Sequence, residues 1–172
     1  MRALFGGRRR RIFGQGKELG HYRNEAFQIT ERIDALLGAV ADEIDALRRR
    51  DLDPEEAVAR LSAQEDLLDE EVSRLQAMMA PEELHGLHME YEANLERALR
   101  GIVTVERGCG ITRLPHRPPD DEEPFIYYKR GYANVTHARM RMAEIVDVLL
   151  VWEPGTPADA SVTGRLERTR EG

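Results

Sequence analysis

Three groups of side chains in this sequence have the type and spacing to do chemistry. Glu82-x-x-His85 sets a carboxylate and an imidazole three residues apart, and His88 follows one turn later. Residues so spaced share a helix face, and carboxylate with imidazole is a ligand set for first-row metals. Cys109 is a lone thiol between Gly108 and Gly110, with Arg107 and Arg113 near enough in sequence to favour thiolate and His116 as the nearest base. The run Arg8-Arg9-Arg10-Arg11, between Leu4-Phe5 and Ile12-Phe13 and followed by Lys17, joins positive charge to apolar and aromatic surface. That combination docks on a nucleic-acid backbone, an anionic membrane surface or an acidic protein groove. No phosphate-cradling glycine loop, paired-cysteine zinc signature or Ser-His-Asp arrangement accompanies these groups.

The elements that must position them are helices. Ala26, Thr30, Ile33, Leu37, Val40, Ile44 and Leu47 step by four and three, which lays one apolar stripe along a helix that ends in Arg48-Arg49-Arg50. Asp53-Pro54-Glu55-Glu56 is a helix start, and Val58, Leu61, Glu65, Leu68, Val72, Leu75 and Met79 continue the rhythm. Pro81-Glu82-Glu83 opens a third helix with the stripe Leu84, His88, Tyr91, Leu95, Ala98, Ile102 and Val105. A fourth begins near Pro124 with Tyr128, Gly131, Val135, Ala138, Met142, Ile145 and Leu149. Short turns near 51 and 80 make sequence neighbours antiparallel. The expected fold is therefore all-α, a four-helix antiparallel bundle over residues 24–152. A basic, glycine-punctuated arm of weak order (1–23) precedes it, and a flexible tail (153–172) follows.

Segment 107–124 reads as one long Pro-rich loop, and long loops in compact domains are either functional or disordered. It brings Cys109, His116 and Arg117 forward as candidates. Glu65 and His88 interrupt the apolar stripes and are expected to be buried polar groups that fix helix register. Within the bundle frame, the Glu-x-x-His spacing resembles that of the ferritin-like di-iron proteins, a resemblance carried by this one motif. It implies metal ligation by Glu82, His85 and His88, although the motif falls in the opening turn of the third helix. A second copy, Glu18-x-x-His21, lies in the arm.

Charge and compartment narrow the reading. The net charge of −7 is polarised: residues 1–23 hold seven Arg/Lys against one Glu, +6, which leaves −13 for residues 24–172. The body should repel nucleic acid and the arm attract it. A single cysteine excludes an intramolecular disulfide framework and makes a reducing cytoplasm the simpler home. Arg10-Arg11-Ile12-Phe13 resembles a twin-arginine export core, but Gln15-Gly16-Lys17-Glu18 follows it where such a signal needs an apolar stretch. The longest apolar run, Val148–Trp152, has five residues, against about 20 for a membrane span. In the tail, Ser161–Leu166 distantly resembles the short C-terminal peptides that load cargo into encapsulin shells. The expectation is a non-enzymatic interaction protein, an accessory of a larger assembly, that docks through its arm and the 107–124 loop and uses no cofactor. Homo-oligomerisation is open to it. The alternatives are a metal-binding bundle and direct nucleic-acid binding through the arm.

Overall fold

The computed structural model describes residues 6–116 and 118–154, with side chains from residue 17 onward. Four helices, and no strand among the described residues, make up the fold: α1 (Gly6–Arg49), α2 (Pro54–Ala77), α3 (His85–Thr112) and α4 (Pro124–Val151). A single 3-10 turn, Glu82–Leu84, leads into α3.

Local chemistry sets most of the ends. The Asp53 carboxylate accepts from the Glu55 N–H at 2.8 Å, and Pro54 occupies the first helical position of α2. Pro124 likewise occupies the first helical position of α4, there without a side-chain cap. The end of α1 is a Schellman turn: Arg50 N–H reaches the Leu47 carbonyl at 3.1 Å and Asp51 N–H reaches that of Ala46 at 2.8 Å. This geometry puts Arg50 at a φ of 64°, the left-handed region, where a side chain costs about 1 kcal/mol. Arg50→Gly should therefore stabilise the bundle by about 0.5–1 kcal/mol, read as a higher urea midpoint at unchanged slope.

The helices form a ring in which α1 touches α2, α2 touches α3, α3 touches α4 and α4 returns against α1. Every stripe residue proposed for α3 and α4 is buried, and so are those of α1 apart from the half-buried Thr30. The tightest contact joins α3 to α4, where Gly101 and Gly131 face each other. A Cβ on Gly131 would lie 2.3 Å from Val105 Cγ2 and 2.7 Å from the Gly101 carbonyl oxygen.

Three expectations change. First, α1 begins at Gly6 and crosses the 23/24 boundary without a break, and Leu19 and Tyr22 are buried in the core. From Gly6 onward the arm is thus helical in backbone, because bundle packing extends the helix upstream and each further turn needs no new nucleation. Second, α3 runs on to Thr112, so Gly108, Cys109 and Gly110 are helical and the irregular crossover is only 113–123. Third, α2 is rotated from the expected face. Met79 is 92% exposed and Glu65, Val58 and Val72 are half-buried, while Ala57, Glu71 and Met78 turn inward.

Candidate functional site

Two of the buried polar side chains, His88 and Glu71, lie along the seams that α1 shares with its neighbours; the third, Asn94, donates to the Glu90 carbonyl of its own helix at 2.8 Å. His88 is 6% exposed, and its Nδ1 is 3.1 Å from the Tyr22 hydroxyl. With Nδ1 accepting from that hydroxyl, Nε2 faces Glu92 Oε1 at 3.6 Å. Burial lowers the His88 pKa; Glu92 opposes this and His85 adds to it. Burial also pushes the Tyr22 hydroxyl up to about 12, so it stays a donor. His88 is thus a neutral register pin between α1 and α3.

A histidine whose pKa is depressed by folding contributes stability above its ordinary value near 6.5 that is lost on acidification, when the unfolded chain takes up the proton first. Glu43 and Glu65, raised by burial, shift stability the other way over the carboxylate range. Asp34, held low by Arg139, loses its contribution only below the usual carboxylate range. The urea midpoint of wild type should therefore fall from pH 7 to pH 5 relative to that of His88→Gln. Parallel curves would remove His88 from this role.

Glu71 is the buried charge that the sequence reading missed. It is 4% exposed, and its Oε1 accepts from Arg32 Nε at 2.8 Å and from Arg74. Arg32 lies on α1, so the group ties α1 to α2. Between α1 and α4, Arg139 donates to both oxygens of Asp34, at 2.5 and 2.9 Å. Arg141 binds Glu90 across α3 and α4. Apart from the Arg74 contact, which lies within α2, these are interhelical ties with ordinary structural chemistry.

The metal ligands proposed from sequence do not converge. Glu82 and His85 are exposed on the turn that enters α3, while His88 points inward to Tyr22. Among the described residues, no group of three or more His, Cys, Asp and Glu side chains could hold a metal ion.

The loop candidates separate as well. Cys109 is fully buried against α4, where burial raises its thiol pKa, opposite to the shift a nucleophile needs. Its neighbour Tyr128 shares a 3.0 Å hydrogen bond with Thr112. His116 is exposed on the crossover, and Arg117 lies outside the described residues. The crossover is tied down at Asp121, which accepts from Arg107 at 2.7 Å and from the Tyr127 hydroxyl at 3.2 Å.

Of the arm residues, Arg8, Arg9, Arg10, Arg11 and Phe13 fall on the helical backbone of α1, and their side chains lie outside the described residues. Lys17 is exposed. At 44 residues α1 is about 66 Å long, against about 42 Å for the 28-residue α3 and α4. Its C-terminal end is flush with the bundle, where Leu47 is buried, so the surplus projects from the N-terminal end. At the root of this overhang lies a cleft of about 650 Å³ between α1, the α2–α3 turn and Trp152–Pro154. It is lined by Glu18, Glu25, Glu82 and Glu83.

No helix among the described residues is long and apolar enough to cross a membrane. No protein family, curated protein or solved structure matches this chain.

Proposed function

We propose that this chain is a non-enzymatic helical interaction module, an accessory subunit of a larger assembly, that docks through its basic N-terminal helix onto an acidic protein surface. The observation that carries this reading is the overhang of α1, because it puts the Arg8–Arg11 run on turns that project beyond a bundle of opposite net charge. A cationic helix presented away from an anionic body meets acidic surfaces without intramolecular competition. The buried side chains of His88 and Glu71 are engaged in interhelical ties, and the overhang and the far crossover serve as the docking elements. At the crossover end, Leu114, Phe125 and Ile126 are exposed apolar side chains that suit a second contact.

The test is affinity capture with the full chain and with a chain that starts at Lys17. Recovery of a protein partner should fall at least about tenfold on truncation and should weaken with added salt. Equal recovery by the two chains would end the role of the arm. Recovery abolished by nuclease would transfer the reading to nucleic acid.

A further inference from the structure

We infer that one acidic surface met by the basic helix is the cleft of a second copy of this chain, so that two copies associate arm to cleft about a two-fold axis. The inference rests on the reading of the overhang as a docking element and names its partner.

The cleft has the chemistry such an arm requires. Leu19, Tyr22 and Met78 are buried side chains that line it, and Met79 stands almost fully exposed at its edge. Its acidic residues are Glu18, Glu25, Glu82 and Glu83, and the one positive candidate in the lining, His21, faces Glu25 at 3.6 Å. Among the described residues, Glu18, Glu82 and Glu83 have no ion-pair partner. A groove that is apolar at its base and anionic at its rim suits a helix with arginines beside Ile12 and Phe13.

A chain cannot place its own arm there. Arg8–Arg11 lie seven to ten residues before Glu18 on one continuous helix, which puts them about 10–15 Å further along the axis and away from the cleft. A second copy can. Positions 11, 14, 18, 21 and 25 succeed one another by three and four and so share a helix face, which reads Arg, Gly, Glu, His, Glu. This face carries Arg11 on one side of Gly14 and Glu18 and Glu25 on the other, so Arg11 meets a carboxylate when the face is reversed. A two-fold axis between positions 14 and 15 brings Arg11 level with Glu18 of the other copy and Arg8 level with its His21. Gly14 sits on this face beside the axis, where a small residue permits close approach of two helices. The contact is isologous: each copy supplies one arm and one cleft, and the pairing closes at two.

The experiment is sedimentation velocity on the full chain, the chain starting at Lys17, a cleft-reversed variant (Glu18→Lys, Glu82→Lys, Glu83→Lys) and an arm-reversed variant (Arg8→Glu, Arg9→Glu, Arg10→Glu, Arg11→Glu). Circular dichroism establishes that each is folded. Wild type should sediment at twice the chain mass at low salt and dissociate at about 0.5 M salt. Truncation and either reversal should raise the dissociation constant at least about tenfold, and mixing the two reversed variants should restore a dimer. A monomeric wild type, a dimer indifferent to truncation, or reversed variants that fail to pair would each overturn the proposal. Binding to immobilised poly-glutamate, measured on the same proteins, separates the two ideas. A monomer that binds the resin only with its arm leaves the docking reading standing and ends the self-association. An arm that neither binds the resin nor dimerises ends both.

Discussion

Gly131→Ala is expected to lower the melting temperature by about 6–12 °C, a loss of about 3 kcal/mol for a chain of this size. Alanine is the better helix former by about 1 kcal/mol, so propensity alone predicts the opposite sign. Sterics decide. The added methyl would stand 2.3 Å from Val105 Cγ2 and 2.7 Å from the Gly101 carbonyl oxygen. The first neighbour is β-branched with little rotamer freedom, and the second is backbone of a packed helix, so relief requires that α3 and α4 move apart. Gly20→Ala is the matched control: it lies on α1 with nothing within 4 Å of the new methyl, and should stabilise by about 0.5–1 kcal/mol. Thermal melts of both variants by circular dichroism would check the pair. A Gly131→Ala melt at or above wild type would mean that the α3–α4 contact is looser than described.

Removal of residues 1–23 should cost about 4–6 kcal/mol, whereas removal of residues 1–16 should leave the urea midpoint near that of wild type. The longer deletion strips Leu19 and Tyr22 from the core, each worth about 2 kcal/mol of apolar burial, and leaves His88 without its hydroxyl partner. Such a loss is a large fraction of the roughly 5–15 kcal/mol that stabilises a single domain. Loss of partner binding in a 1–23 deletion would thus report unfolding as readily as loss of docking. The chain that starts at Lys17 separates the two. Equal urea midpoints for the two deletions would place Leu19 and Tyr22 outside the cooperative core.

How far the sequence is legible follows from which signals compete. On α3 and α4 the four-three rhythm runs the length of each helix, and all of the proposed positions are buried. On α2 two faces were nearly equivalent. Leu61, Leu68 and Leu75 belong to either, and an inward Glu65 was preferred over Glu71 because nothing local reveals that Arg32 of α1 waits opposite Glu71. Partners distant in sequence are invisible to periodicity. Glycine misled twice, for the same reason. Gly108 falls in the segment read as a loop, yet a Cβ there would meet Tyr127 and Tyr128 at 2.8 and 2.9 Å, so its smallness serves a helix contact. That contact keeps Cys109 inside α3 and removes it from the crossover. In the arm, the glycines hid a helix that the buried Leu19 and Tyr22 anchor. The Glu82, His85 and His88 spacing was real in sequence, but the turn before α3 leaves two of its members outside and turns the third in.

The overhang of α1 has a thermodynamic consequence. Its turns are too glycine-rich to start a helix alone, and they hold that conformation as an extension of turns locked by the core. Melting the bundle melts the overhang, and by linkage any molecule that grips only the helical overhang raises the melting temperature of the whole domain, by an amount that grows with the logarithm of its concentration once it exceeds the dissociation constant. A substitution deep in the α3–α4 seam will therefore weaken capture at the far tip, without touching it, at temperatures where it leaves an appreciable fraction of the chain unfolded.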